Sequence, residues 1–315
     1  MTRLLALLLL LLGGTTELAG QDAVRTGRPA SQDAAIRLWL PRGSVRITTW
    51  TRDSVDVKGR VDAGAGRLLL GGSPAALKVV VEPPEGRTAD GIADLDVRIP
   101  GGARLWVTSA AAEGEVTAGG GSVEVTTVSG RVRVAGTAAS VAVETLDGNV
   151  ELACTSPLAR VRTASGVLVV RGVLQELDAR SVSGPLFIGM EGAVRQVHLE
   201  TVSSEIAFKG DLVPDGRLQA ETHGGDIELR LPPGLAATWQ GRYINAMYTS
   251  TCGGSTEDSD NMFEGESHPY LKGVACLPEG SAFATLRTAA SPRGPLAERD
   301  LALLVALGVL DERRA

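Results

Sequence analysis

One short pattern returns at nearly constant spacing through the middle of this chain, and that recurrence limits the fold more than any single motif. The stretch TTVSGRVRV, Thr126 to Val134, alternates valine with polar residues on either side of a Ser-Gly pair. Aligned on Gly130, the pattern recurs at Gly148 (TLDGNVEL), Gly166 (TASGVLVV), Gly184 (SVSGPLFI), Ser204 (TVSSEIAF) and Gly225 (THGGDIEL), in steps of 18, 18, 18, 20 and 21 residues. A weaker copy stands at Gly114, 16 residues upstream.

Two places after the reference stand Val132, Val150, Leu168, Leu186, Ile206 and Ile227, and four places after stand Val134, Leu152, Val170, Ile188, Phe208 and Leu229. Five places before come Val125, Val143, Val161, Ala179, Leu199 and Ala220, and seven before come Val123, Val141, Ala159, Leu177, Val197 and Leu218. Apolar residues at period 2 on both sides of a small-residue turn predict two short strands per unit, each with one buried face. A lone copy would read as a β-hairpin. Repeated copies predict a solenoid, because one unit cannot bury its apolar face without stacking on its neighbours. The fold class expected is all-β, a repetitive β-solenoid resembling a parallel β-helix, with rungs of about 18 residues.

Stacking superposes like residues. Three places before the reference, Thr127, Thr145, Thr163, Ser181, Thr201 and Thr222 form an unbroken hydroxyl column, expected to pair side chains between successive rungs. Glu144 and Arg162, and Arg180 and Glu200, come one rung apart with opposite charge, a device for register worth about 0–1 kcal/mol per exposed pair. Each rung adds four inward apolar side chains at roughly 1.5 kcal/mol or more apiece, so burial holds the array together.

The flanks differ from the repeat. Residues 34–107 alternate irregularly, with interruptions at Pro83, Pro84, Gly101 and Gly102, and are expected to form an irregular β start that covers the first rung. Regular rungs are expected over 108–231. Residues 232–292 form an aromatic and cysteine-bearing segment with a last strand-like stretch, SAFATLRTA. Residues 295–314 read as a C-terminal helix with Leu303, Leu304, Leu307 and Leu310 on one face, a cap over the end of the solenoid. At the other end, Met1-Thr2-Arg3 precedes an apolar run, Leu4 to Leu12, too short to span a bilayer. Residues 1–22 therefore read as a secretory signal peptide, and the protein as exported, to periplasm, cell surface or medium. No later run predicts a transmembrane helix.

Composition excludes further classes. The net charge is −6 and the four lysines are scattered, so no basic stripe for nucleic acid exists. Aromatics are only 3%, which suits thin repetitive β-structure. The histidines, at 198, 223 and 268, show no spacing with cysteines or carboxylates that would build a metal site, and no cofactor is expected. The acidic loop STEDSDNMFEGES lacks the alternation of a calcium-binding EF-hand. The Gly-Ala-Gly at 64–66 reads as a turn, not a dinucleotide fingerprint.

The run GSVRITTWTRDSVDVKG, the strand ending in Pro-Gly within DVRIPGGARLWVTS, and the repeated T-x-S-G-x-V units resemble the putative adhesin family, a domain of exported bacterial proteins. The resemblance spans roughly Arg37 to Leu231. It implies a β-solenoid at the cell envelope without established catalytic residues, some members being associated with envelope stress. The aromatic segment after Leu231 and the loss of the reference glycine at Ser204 depart from the family pattern.

The expected function is therefore that of a non-enzymatic envelope or cell-surface protein whose stacked face binds a protein, peptide or glycan. A carbohydrate-active enzyme on a β-helix scaffold and a component that senses envelope stress are the alternatives. Candidate binding residues are Trp239, Tyr243 and Tyr248, together with the outward carboxylates Glu205, Asp226 and Glu228 of the last rungs. No catalytic residues are assigned. Cys252 and Cys276 are candidate disulfide partners, closing a loop worth roughly 3 kcal/mol, and Cys154, on the inward parity, is expected to be a buried free thiol.

Overall fold

The computed structural model describes residues 21–86 and 90–232 and, as backbone, strands at 237–242, 270–275 and 282–288. Its elements are β1 (Gln21–Pro29), β2 (Ala35–Trp50), β3 (Ser54–Asp62), β4 (Arg67–Ser73), β5 (Ala76–Glu82), β6 (Ala93–Pro100), β7 (Arg104–Gly119), β8 (Ser122–Ser129) and β9 (Val132–Thr137). They continue with β10 (Ser140–Asp147), β11 (Val150–Thr163), β12 (Leu168–Ser181), β13 (Leu186–Thr201), β14 (Ile206–Thr222), β15 (Ile227–Arg230), β16 (Ala237–Arg242), β17 (Tyr270–Ala275) and β18 (Ala282–Thr288). The signal-peptide segment, Tyr243, Tyr248, Cys252, Cys276, the acidic loop and the expected C-terminal helix lie outside the described residues.

The sequence columns are the ladders of a β-solenoid. Each rung has an arm A, upstream of the reference position, and an arm B downstream of it. In arm A the parallel register runs Leu105, Val123, Val141, Ala159, Leu177, Val197, Leu218. In arm B it runs Gly114, Val132, Val150, Leu168, Leu186, Ile206, Ile227. Register shifts after Gly172, Gly189 and Val194 absorb the longer steps of 20 and 21 residues. The inward side chains of both arms join one core, in which Val134, Val143, Leu152, Val161, Leu168 and Leu186 are fully buried.

Both ends are closed by strands from distant parts of the chain. At the start, β2 lies parallel to β7 along both arms, Ile36 beside Leu105 and Ile47 beside Val116, so regular stacking begins upstream of residue 108. Outside β2, the inserted strands β5 and β6 form a further rung, with Leu38 beside Val79 and Ile47 beside Val97. This edge then turns antiparallel: β4 covers β5, β3 covers β6, and β1 covers β3. At the far end, arm B of β14 is continued by β15 and arm A by β18, with Leu218 beside Ala284. The strand β16 follows β18, and β17 pairs antiparallel with β16. These added strands pair the backbone groups that the last parallel rungs would otherwise leave open.

The turn glycines are required by proximity. At Gly148, Gly166, Gly184 and Gly225 a β-carbon would fall far inside van der Waals contact of a carbonyl oxygen one rung below, on Gly130, Gly148, Gly166 and Ser204 respectively. Gly114 does not belong to this column: it pairs with Val132, and Gly130 stacks on Ala112, so the first copy begins two residues earlier than the sequence spacing suggested and the step there is 18 rather than 16.

The hydroxyl column is buried, as its place in the pattern implied, but its role differs from the ladder expected. Only Ser109 Oγ donates across rungs to a neighbouring hydroxyl, Thr127 Oγ1, at 2.8 Å. Thr163, Ser181 and Thr222 instead accept from the N–H of Gly166, Gly184 and Gly225 at 3.0, 2.7 and 3.1 Å, capping their own turns. A serine or threonine oxygen sits within reach of the backbone N–H three residues on, and the hydroxyl hydrogen remains to donate, as Thr222 does to the Ser204 carbonyl of the preceding rung at 3.0 Å. The charge pairs form as expected, Arg162 with Glu144 at 3.5 Å and Arg180 with Glu200 at 3.4 Å.

Outward parity does not always mean exposure. Val169, Phe187 and Ala207 alternate with the inward residues of arm B and share one register column, yet they are 7%, 0% and 4% exposed. The outer side of arm B is thus covered at these three rungs.

Cys154 is a buried free thiol, and burial pushes its pKa up from the ordinary 9.0 to about 11. The native thiol stays neutral after the unfolded one has ionised. Its contribution is complete below pH 9 and is lost as pH rises through about 11, a span of about 2–3 kcal/mol. Unfolding free energies measured from pH 8 to 11 should fall more steeply for the native chain than for Cys154→Ala; parallel curves would contradict this account.

Candidate functional site: a tryptophan groove on arm A

The carboxylates singled out in the sequence come to consecutive rungs at the far end. The Leu186 N–H donates to the Glu205 carbonyl at 3.0 Å and the Ile206 N–H to the Asp226 carbonyl at 2.8 Å, so both residues occupy the turn entering arm B. Glu228, the next outward residue of arm B, is held by Arg230 at 2.7 Å. Trp239 is in register with Ala284, which pairs with Leu218, and so lies on arm A rather than with these carboxylates. The backbone therefore does not place Trp239 beside them.

At the opposite end the solenoid assembles a site that sequence reasoning did not find. The stacking of β5, β2 and β7 on arm A puts Arg37 between Lys78 and Trp106, and Trp39 between Val80 and Thr108. These residues all have outward parity, because they alternate with the core residues Ile36, Leu38, Leu77, Val79, Leu105 and Val107. Together they line a shallow groove of about 360 Å³. Trp39 and Trp106 stand on adjacent strands two residues apart in register, a diagonal neighbour distance of roughly 7–8 Å. Trp39 is 36% exposed and Trp106 half-buried. The Arg37 guanidinium lies 5.8 Å from the centre of the Trp106 ring, a cation–π contact that steadies both side chains while leaving the guanidinium edge exposed.

The groove carries two cations and no carboxylate in its lining. Among the described residues neither Arg37 nor Lys78 is engaged in an ion pair. Glu124, beside Trp106 on the next rung, marks its downstream limit. The third tryptophan of this region, Trp50, is committed elsewhere: its indole N–H donates to the Ser54 carbonyl at 2.7 Å, with Arg52 and Arg98 over its ring.

Arm B has a groove at the same end, about 450 Å³, whose charges are largely satisfied within the fold. Arg46 pairs with Glu115 at 3.0 Å, and Ser44 Oγ donates to Asp94 at 2.6 Å. At its border Glu151 accepts from Arg133 and Arg171, each at 2.9 Å. Partial burial raises the Glu151 pKa, but the hydrogen bonds and charges of the two arginines outweigh burial and leave it lowered. Among the described residues no three His, Cys, Asp or Glu side chains converge as a metal site would need. Among the described residues no helix is long and apolar enough to cross a membrane.

The signal for the groove was present in the sequence as a repeated Arg-Leu-Trp, at Arg37-Leu38-Trp39 and Arg104-Leu105-Trp106. The pairing that sets Trp106 beside Arg37 joins residues 69 apart, and no local pattern reports it.

No protein-family model matches this chain, and no curated protein matches it. Among solved structures it is similar to a putative adhesin from Bacteroides fragilis, with 12% identity, a TM-score of 0.49, and coverage of 68% of this chain and 99% of that one. A putative adhesin from Parabacteroides distasonis shows 13% identity and a TM-score of 0.40 over 68% of this chain and 94% of the other. A putative cell adhesion protein from Clostridium sporogenes shows 8% identity and a TM-score of 0.24, covering 87% of this chain and 97% of the other.

Proposed function

We propose that this chain is an exported, non-enzymatic binding protein of the envelope or cell surface, adhesin-like in its action, which uses the flat outer side of its stacked strands to hold a ligand. The observation that carries this is the groove on arm A, where a rigid parallel sheet fixes on one surface two tryptophans and two cations that make no ion pair among the described residues. Such a site needs little ordering on binding, because each side chain rises from a strand paired on both sides. Amphipathic aromatic rings and exposed arginine are the groups that anchor ligands on open surfaces.

The test is capture of purified envelope polysaccharide, lipid vesicles and solubilised envelope protein by the mature chain. Two variants run in parallel, Trp39→Ala/Trp106→Ala and Trp239→Ala/Tyr243→Ala. Saturable capture of one fraction, lost in the first variant, is the expected result. Loss in the second variant alone would move the site to the C-terminal aromatic segment, and no saturable capture of any fraction would overturn the binding role.

A further inference from the structure

We propose that the ligand of the arm A groove is an acidic polysaccharide, a chain of pyranose rings bearing carboxylates. This inference rests on the binding role above and goes beyond it by naming the ligand chemistry. Three properties of the groove lead to it. It is shallow and open along the sheet, which suits an extended polymer better than a small molecule enclosed on most sides. Its apolar floor is two indole rings, set diagonally on neighbouring strands. The flat C–H face of a pyranose packs on such a ring, because the positive edge of the C–H groups meets the negative face of the π-system. Its polar groups are Arg37 and Lys78, adjacent in register, exposed, and without ion pairs among the described residues.

Charge complementarity decides between acidic and neutral sugars. The whole chain carries −6, yet this lining holds two cations and no carboxylate. A neutral glycan would leave that local excess unused. A carboxylate on the sugar ring accepts two parallel N–H bonds from the Arg37 fork and a point-charge contact from Lys78. The guanidinium lies over the Trp106 ring, which leaves the exposed Trp39, two residues along the same strand from Arg37, as the stacking platform, with the cation beside it to meet the carboxylate of the stacked ring. The groove on the opposite arm offers no equivalent, since its lining has no aromatic ring and carries four carboxylates, Asp94, Asp96, Glu113 and Glu115.

The experiment measures binding of the mature chain to polygalacturonate, to dextran as a neutral polymer, and to vesicles containing phosphatidylglycerol. Expected is saturable binding to polygalacturonate that weakens as salt rises, falls at least tenfold in Arg37→Gln/Lys78→Gln, and falls at least tenfold in Trp39→Ala/Trp106→Ala. Arg160→Gln removes one exposed cation from the same face further along the solenoid and should change affinity less than twofold. Dextran bound as tightly as polygalacturonate, with dependence on the tryptophans, would overturn the acidic ligand while leaving the binding role standing. Vesicle binding that needs Arg37 and Lys78, without polygalacturonate binding, would assign the groove to a lipid surface instead. Polygalacturonate binding unchanged in both double variants would place it elsewhere on the molecule. Absence of binding to all three probes, together with no capture in the fractionation test above, would remove both proposals.

Discussion

Gly166→Ala should lower the unfolding free energy by about 3 kcal/mol, while Gly114→Ala, in arm B of the first regular rung, should stay within about 0.5 kcal/mol of the native chain. The two glycines differ in what surrounds an added carbon: Gly166 sits in a turn stacked on the turn below, and Gly114 sits within β7, in the column of Val132. At Gly166 the added carbon meets the Gly148 carbonyl oxygen and then its carbon, both backbone atoms pinned by the ladder on each side. No flexible side chain can move aside, so two rungs must separate or the turn must rebuild. At Gly114 nothing lies within 4 Å. Denaturant titration followed by circular dichroism measures both, and equal losses would show that contact between rungs does not select glycine at the Gly166 turn.

Phe187→Ala should cost about 3–5 kcal/mol, as for a large side chain removed from a packed interior. Parity alone would place Phe187 on the outside of arm B, where truncation costs within about 0.5 kcal/mol. Its complete burial, with Val169 and Ala207 beside it in the same column, says otherwise. Val173→Ala provides the contrast, since Val173 is an apolar residue of β12 that remains 43% exposed. A small and equal effect at both positions, read from the denaturation midpoint at constant slope, would mean that arm B is bare at these rungs.

The regular rungs were legible because their signal is local and repeated. Period 2, a fixed step of 18 and a small residue at the turn name the inward columns, and the observed registers follow those columns from Val123 to Leu218 and from Val132 to Ile227. Elements whose partners are remote were not legible. The pairing of β2 with β7, the rung made by β5 and β6, and the continuation of arm A of β14 by β18 each join residues that no repeat relates. The groove depends on the first two, which is why Trp39 and Trp106 stood in the sequence as unconnected residues. The hydroxyl column shows an intermediate case. Its position and burial followed from the pattern, but whether Thr163 bonds sideways or to Gly166 is set by the turn's backbone path. Trp239 had chemical appeal but no register to locate it until β16 and β18 were paired.

The discontinuous end rungs make the solenoid a ruler whose graduations can change without disturbing its ends. Both closures are made by long-range pairing near the termini of the array, and the tryptophan groove belongs to the first of them. Between Val141 and Ala159 lies one whole unit of 18 residues, and excising residues 141–158 would bring Ala159 into the place of Val141 with every column preserved. Each unit removed or duplicated shifts the two ends by one strand spacing, about 4.8 Å. The distance from the groove to the opposite end of the molecule is thus set by copy number alone, independently of what either end does.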